Sequence, residues 1–139
     1  MKSASLPKAE RLRSQKQIAA LMCKGTALFH FPFKVSFSFF PAVAGVPCCR
    51  VAVNVPKRNF KKAVTRNLLK RRMREAFRIN KQELYETLAG KNKAMIVFFH
   101  YVSPEILQYA DIESHLRNIL ETLAGAAVKG DSIPVDTRG

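Results

Sequence analysis

The sequence is short of several features that mark common classes of protein. It has no tryptophan, and its three cysteines, Cys23, Cys48 and Cys49, form neither a CxxC pair nor a metal-binding pattern with histidine. This odd, partly adjacent set excludes a disulfide framework. No apolar run is long enough to span a bilayer, and no apolar segment follows Lys2 as a signal peptide would require. We therefore expect a cytoplasmic protein that does not enter membranes.

Acidic residues are scarce in the first half of the chain. Residues 1–78 contain 18 of the 24 Lys and Arg residues but only two acids, Glu10 and Glu75, whereas residues 79–139 contain six bases and eight acids. The net charge of +14 is thus confined to one half, which is typical of a protein that binds a polyanion. Solubility alone needs no such asymmetry. Nucleic acid is the expected partner, with anionic lipid as the rival.

The same scarcity argues against an active site in this chain. Cleavage of a phosphodiester by protein groups requires clustered carboxylates to hold Mg²⁺, and the basic half offers only Glu10 and Glu75. Asp111 and Glu113 begin a predicted helix, where acids favour the helix dipole. No Cys/His dyad or activated nucleophile is recognisable. We expect no catalytic residue and no metal ligand.

The first half of the chain predicts a helix followed by strands. Helical spacing of apolar residues predicts a helix from Arg11 to Lys24, ended by Gly25. Strict alternation predicts a half-buried strand over 33–40, with one face formed by Phe33, Val35, Phe37 and Phe39. A turn over 41–47 and a β-branched return strand over 50–55 follow. Residues 28–30 predict a short additional strand.

The second half predicts two helices around one buried strand. Residues 61–88 predict a long helix closed by Gly90, 94–101 a nearly all-apolar central strand, and 110–124 a helix ended by Gly125. The order α-β-β-β-α-β-α predicts an α+β two-layer sandwich with one β-α-β crossover. We expect one folded domain over 10–125, a flexible basic arm over 1–9 and a disordered tail over 126–139.

The segment over 57–78 contains the strongest functional signal. Ten of its 22 residues are Lys or Arg, and its only acid is Glu75. At 100° per residue, Leu69, Met73, Ala76 and Phe77 share a core-facing stripe. A solvated helix face would mix both signs of charge, and like charges four residues apart repel, so this helix favours an anionic partner. Beside the stripe lies a basic ridge formed by Asn67, Lys70, Arg71, Arg74 and Arg78.

These residues bring the chain close to a known family. The run RNLLKR at 66–71, continued by REAFR at 74–78, resembles the RNR-type signature helix of the bacterial ribonuclease P protein component. The preceding VAVNVPKR at 51–58 resembles the strand and turn that lead into that signature. RLR at 11–13, with Gly25, matches the N-terminal element of the family. The resemblance extends to about residue 123.

The resemblance implies a protein subunit of ribonuclease P, a ribonucleoprotein endoribonuclease that removes the 5′ leader of precursor tRNA and forms the mature 5′ end. Catalysis is then expected in the RNA subunit with Mg²⁺, and no cofactor is expected on protein side chains. The implied partners are the catalytic RNA, at a 1:1 ratio, and precursor tRNA. The implied fold is similar to that of ribosomal protein S5 domain 2, with a left-handed β-α-β crossover.

Two RNA-binding surfaces follow from the resemblance, and residues 10–125 then form an RNA-binding domain. The signature helix and the loop before it would bind the catalytic RNA through Lys57, Arg58, Lys61, Lys62, Arg66, Asn67, Lys70, Arg71, Arg74 and Arg78. A cleft between the first helix and the polar face of the sheet would receive the single-stranded leader through Arg11, Arg13, Ile18, Met22, Lys34 and Ser36.

The chain departs from the family at some of these positions. Leu68 stands where the signature has its second arginine, and two lysines at 61–62 replace a Gly-Asn pair, which adds charge that would compensate. Ile18, Met22 and Ser36 stand where aromatic residues are common. Aromatic rings would stack on leader bases, so these three departures remove stacking partners.

Three other functions stay open at this stage. A ribosomal or general RNA-binding module would share the charge and the fold but have no role in tRNA processing. A DNA-binding regulator would need a short helix-turn-helix and a dimer seam, whereas this basic helix is long and leads into a strand. Attachment to a membrane surface would need large apolar residues free to enter lipid, and those of this helix belong to the core stripe.

Overall fold

The computed structural model describes residues 8–12 and 14–128. They form a four-stranded sheet that carries helices on both faces. The predicted α+β class and the order of helices and strands are confirmed. A 3₁₀ helix over Lys8–Glu10 is followed by α1 (Gln15–Lys24), β1 (Thr26–His30), β2 (Phe33–Pro41), β3 (Cys49–Asn54), α2 (Ala63–Asn80), α3 (Gln82–Gly90), β4 (Lys93–Tyr101) and α4 (Tyr109–Val128).

The strands lie in the order β1-β2-β4-β3 across the sheet. β1 and β2 form an antiparallel hairpin, β2 pairs antiparallel with β4, and β3 pairs parallel with β4. The predicted return strand, β3, runs antiparallel to β2 but does not pair with it, because the most apolar strand, β4, takes the place between them. The parallel strands β3 and β4 are joined through α2 and α3, so the predicted β-α-β crossover is present.

The main core lies between one face of the sheet and helices α2, α3 and α4. Phe33, Val35 and Phe37 of β2 are no more than 2% exposed, as the alternation of this strand predicted. Phe77 of α2 meets Phe99 of β4 edge to face, with ring centroids 6.2 Å apart. The predicted apolar stripe of α4 is also buried: Ile112, Leu116, Ile119, Leu120 and Leu123.

Helix α1 covers part of the opposite face. Leu12 and Leu21 pack with Ala52 of β3 and Phe98 of β4 in a second, smaller apolar cluster. Gly25 ends α1, as predicted. A Cβ atom at Gly25 would lie 2.6 Å from the Leu21 carbonyl oxygen, so this position needs glycine for space. The close approach lets the chain turn directly from α1 into β1.

The first helix begins later than predicted. Arg11 and Leu12 are extended: Arg11 forms a parallel bridge with Val51 of β3, and the Leu12 amide donates to the Val51 carbonyl oxygen at 2.8 Å. The helix begins after Ser14, whose side-chain oxygen accepts a hydrogen bond from the Gln17 amide and so caps the helix.

The structure describes the predicted ends of the domain only in part. Residues 1–7 of the predicted arm and 129–139 of the predicted tail lie outside the described residues, whereas residues 8 and 9 begin the 3₁₀ helix. Helix α4 continues past Gly125, and the two alanines that follow it are buried. Because these small residues pack against the core, the glycine does not end the helix.

The predicted helix over 61–88 is two helices. α2 begins at Ala63, and a break at Lys81 separates it from α3. A straight helix over 61–88 would measure about 42 Å, whereas a strand of nine residues such as β4 spans only about 30 Å. The break keeps Leu84 and Leu88 of α3 buried over the sheet instead of extending them past its end.

Candidate nucleic-acid interface

Helix α2 holds the basic ridge in front of the core. Leu69, Met73, Ala76 and Phe77 are buried, so the predicted core stripe is confirmed. Packing of these four side chains fixes the helix against the sheet and α4, and the ridge next to them is therefore held in a set orientation. Two of the ridge residues, Asn67 and Arg71, are exposed to solvent. The other three are half-buried: Lys70, Arg74 and Arg78.

Arg78 of the basic ridge is paired within the protein. Arg78 forms a bidentate ion pair with Glu75, with Nε to Oε1 at 3.1 Å and Nη2 to Oε2 at 2.7 Å. Glu75 reaches the ridge because residues three apart meet on a helix surface. Arg78 is thus the weakest ridge candidate for RNA. In the described part of the chain, no carboxylate pairs with Lys70 or Arg71.

Arg66 orders the loop that precedes α2. Its Nη1 atom donates to the carbonyl oxygens of Phe60 at 2.8 Å and Lys61 at 3.0 Å. Phe60 is buried, with its ring centroid 5.9 Å from that of Tyr101. The loop is therefore fastened to the core, although its cations are exposed. Those cations are Lys57, Arg58, Lys61 and Lys62.

A cleft of 540 Å³, the α1 cleft, opens between α1 and the second face of the sheet. Three of the residues predicted for leader binding, Arg11, Ile18 and Met22, line it, and Met22 is 60% exposed. Arg74 of the basic ridge lines the same cleft, so the two predicted surfaces meet at this arginine. The complete lining is Arg11, Leu12, Gln15, Ile18, Met22, Val51, Ala52, Val53, Asn54, Arg74, Phe98 and His100.

The α1 cleft contains three side chains that the sequence analysis missed. The rings of Phe98 and His100 stack with centroids 6.1 Å apart, and Asn54 Nδ2 lies 2.9 Å from His100 Nδ1. An amide nitrogen can only donate, so Nδ1 accepts and the proton of the neutral ring is on Nε2. Alternation within β3 and β4 was the available signal, because it separates these three residues from the core-facing ones.

The electrostatic surroundings keep His100 uncharged. Burial lowers the pKa of His100, and the charges of Lys34 and Arg58 lower it further. At pH 7 the imidazole is therefore a neutral, flat ring with one N–H donor. Together with two guanidinium groups, such a ring suits single-stranded nucleic acid, which needs cations for its phosphates and planar partners for its bases.

Two of the other residues predicted for the cleft, Ser36 and Lys34, do not line it. Arg13 lies outside the described residues. Ser36 is only 8% exposed and does not line the cleft, because its short side chain lies within the sheet opposite Phe98, with β1 on the other side. Lys34 is exposed and lies opposite His100 in the register of β2 and β4. It does not line the cleft, and its charge acts there through its effect on the His100 ring.

The acids of the basic half are engaged with donors of the protein itself. Glu10 Oε1 accepts from Lys81 Nζ at 2.7 Å and from the Tyr85 hydroxyl at 2.5 Å, while Glu75 pairs with Arg78. Within residues 8–12 and 14–128, no group of three or more His, Cys, Asp or Glu side chains could hold a metal ion. The exposed charge of the described basic half is therefore mainly positive.

Comparison with known proteins agrees with this geometry. The family model for ribonuclease P matches residues 6–124. The chain is 31% identical over 120 residues to the ribonuclease P protein component of Porphyromonas gingivalis, covering 86% of this chain and 87% of that protein. It is 42% identical over 101 residues to the component from Chlorobium phaeobacteroides, covering 69% and 66% of the two chains.

Solved structures agree as well. The fold is similar to that of the Staphylococcus aureus RNase P protein, with a TM-score of 0.65 at 22% identity over 83% of this chain and 95% of that one. It is similar to the RNase P protein from Thermotoga maritima, with a TM-score of 0.63 at 25% identity over 81% and 96%. This chain belongs to the ribonuclease P protein component family.

Proposed function

We propose that this chain, as the protein subunit of ribonuclease P, binds the catalytic RNA through the basic ridge and its preceding loop, and the precursor tRNA leader through the α1 cleft. Its part in removing the 5′ leader follows from its family. The observation that supports the first surface is that α2 has solvent-accessible cations on one face and a buried apolar stripe on the adjacent face. Cations held in a fixed row lose little entropy when phosphates bind.

The loop and the ridge act together on the catalytic RNA. Lys57, Arg58, Lys61 and Lys62 extend the row of cations beyond the start of α2, and Arg66 keeps this loop in place. Phosphate contacts of this kind release counterions, so binding weakens steeply as salt is added. Leu68 cannot replace a guanidinium group, and the additional cations of the loop compensate for it.

The α1 cleft receives the leader as a single strand. Arg11 and Arg74 bind its phosphates, and neutral His100 offers a ring face and an Nε2–H donor to a base. Phe98 lies beneath His100 and is only 7% exposed, so it supports the imidazole. In this assignment, the ring of His100 on β4 takes the stacking role that aromatic residues on α1 and β2 would have in the family.

The chemistry belongs to the RNA subunit, with Mg²⁺ as the metal that this RNA holds. Glu10 and Glu75 accept hydrogen bonds from neighbouring protein groups, and so neither presents a carboxylate to the RNA. The protein raises the affinity for precursor tRNA and screens repulsion between the two RNAs. We expect one protein per RNA, in the cytoplasm.

The alternatives have less support. A general RNA-binding module without a role in tRNA processing is not favoured by the family match over 6–124. For the membrane-surface alternative, the large apolar residues of α2 are buried in the core. In the part of the chain that the structure describes, no helix has both the length and the apolar character needed to cross a bilayer.

A reconstitution assay tests the proposal. Purified protein is mixed with a bacterial ribonuclease P RNA and precursor tRNA at low Mg²⁺, and formation of the mature 5′ end is followed over time. We expect cleavage at least tenfold faster than with RNA alone, and no cleavage by the protein alone. An equal rate with and without protein would contradict the proposal.

A further inference from the structure

The segment that contains Arg11 is fastened on both of its sides. On one side, Glu10 Oε1 accepts hydrogen bonds from Lys81 Nζ and the Tyr85 hydroxyl at 2.7 and 2.5 Å. The side chains of Glu10 and Lys81 are only 17% and 20% exposed, so this pair is largely shielded from water. These three residues form the Glu10 clamp.

The Glu10 clamp is attached to a rigid part of the molecule. Lys81 stands at the break between α2 and α3, and its ammonium lies 4.7 Å from the centroid of the Tyr85 ring. That ring in turn meets Phe77 of the core stripe edge to face, with centroids 6.2 Å apart. The carboxylate of Glu10 is therefore held where α3 joins α2, the helix that displays the basic ridge.

On its other side, Arg11 is held by β3 and the second apolar cluster. Leu12 is 5% exposed within that cluster, and its amide donates to the Val51 carbonyl oxygen at 2.8 Å. Arg11 itself bridges Val51 and lines the α1 cleft. A single residue thus separates the shielded carboxylate from the buried leucine, which leaves the backbone of Arg11 little freedom.

We infer that Glu10 is a positioning residue for leader binding, which acts through Arg11 and does not touch RNA itself. A carboxylate beside a surface that binds phosphates would repel them, unless a cation of the protein itself neutralises its charge. Here Lys81 balances that charge, and the carboxylate fixes the strand-like segment from which Arg11 reaches the α1 cleft. This inference rests on the proposed function of the cleft.

The test compares Glu10→Gln with wild-type protein in the reconstituted holoenzyme. Glutamine keeps the size of the side chain but leaves Lys81 without a charge partner, so the segment loosens. We expect the preference for precursor tRNA with a leader of five or more nucleotides over mature tRNA to fall about tenfold, a loss of roughly 1.4 kcal/mol. Affinity for mature tRNA and for the catalytic RNA should change less than twofold.

A double variant separates positioning from a general loss of stability. If Glu10 acts through Arg11, then adding Glu10→Gln to Arg11→Gln should cause no further loss of leader preference. A general structural role would instead add its own loss in both backgrounds. Either an unchanged leader preference in Glu10→Gln or additive losses in the double variant would overturn the inference.

Two controls keep the outcomes distinct. Glu86→Gln removes another acid, which lies exposed on α3, and it should leave the leader preference at the wild-type value. If wild-type holoenzyme shows no leader preference, or if Arg11→Gln does not reduce it, the proposed function of the cleft fails. If both behave as expected and Glu10→Gln does not, only the positioning role fails.

Discussion

At the scale of single residues, the basic run over 57–78 is less uniform than its composition indicates. Arg66 donates to two loop carbonyl oxygens, Arg72 donates to the Leu107 carbonyl oxygen before α4, and Arg78 is paired with Glu75. These three arginines therefore have structural partners. Arg71 is exposed, and no described carboxylate pairs with it, which makes it a better candidate for a phosphate contact.

This difference predicts unequal effects of neutralising two arginines. We expect Arg71→Gln to weaken binding to the catalytic RNA about five- to tenfold, roughly 1–1.4 kcal/mol. Arg78→Gln should weaken it less than twofold, since its charge is already balanced by Glu75. Filter binding at fixed salt measures both, with circular dichroism to verify the fold. A larger loss for Arg78→Gln would reverse the assignment.

Arg66 should behave differently from either of them. Because its guanidinium group holds the Phe60 and Lys61 carbonyl oxygens, Arg66→Gln should loosen the whole loop as well as remove a charge. We expect faster amide hydrogen exchange over 57–62 and a loss of RNA affinity greater than that of Arg71→Gln. Exchange at the wild-type rate in this loop would show that the two hydrogen bonds do not order it.

At the scale of helices and strands, local periodicity was enough to predict which face of a helix or strand is buried. Pairing between distant segments could be determined only from the structure. The core stripe of α2 was predicted correctly because 100° per residue is a property of the helix alone. The place of β4 between β2 and β3 was not, since strand order depends on contacts between segments far apart in the chain.

The site shows the same division between local and distant signals. The pair of Glu75 with Arg78 could have been predicted from their spacing, because residues three apart meet on a helix. The contact of Asn54 with His100 could not, since it depends on the parallel register of β3 and β4. The ion pair of Lys81 with Glu10 could not be predicted from spacing either, because the two residues are 71 positions apart.

Two glycines at helix positions predict opposite responses to alanine. A Cβ at Gly25 would meet the Leu21 carbonyl oxygen at 2.6 Å, whereas at Gly125, inside α4, it would meet nothing within 4 Å. We expect Gly25→Ala to lower the free energy of unfolding by about 1–3 kcal/mol. Gly125→Ala should raise it by about 0.5–1 kcal/mol. Urea unfolding measures both, and a Gly25→Ala variant as stable as wild type would contradict the packing described for α1.

At the scale of the whole molecule, stability and RNA binding depend on how charge is distributed. Burial lowers the pKa of His100 and, together with the neighbouring His115, that of His30, whose Nε2 lies 3.3 Å from His115 Nδ1. In the unfolded chain both histidines return to the ordinary value of 6.5. Below that pH the unfolded chain binds protons that the folded chain does not.

Stability should therefore fall as the pH is lowered through 6.5. We expect a smaller free energy of unfolding at pH 5.5 than at pH 7.5, because protons bind preferentially to the unfolded chain. In a His30→Gln, His100→Gln double variant this dependence should be weaker. Urea titrations of both proteins at the two pH values measure how the free energy of unfolding changes with pH. A variant with the same pH dependence as wild type would mean that these histidines do not cause it.

The central claim is that the basic ridge of α2 meets RNA, and the salt dependence of binding tests it most directly. The affinity for the catalytic RNA is measured between 50 and 300 mM salt, values of the order over which phosphate contacts are lost, for wild-type protein and a Lys70→Gln, Arg71→Gln, Arg74→Gln variant. We predict that the slope of log Kd against log salt falls by about two to three in the variant, because each phosphate contact contributes roughly 0.9 or less. An unchanged slope in a folded variant would show that the RNA binds elsewhere.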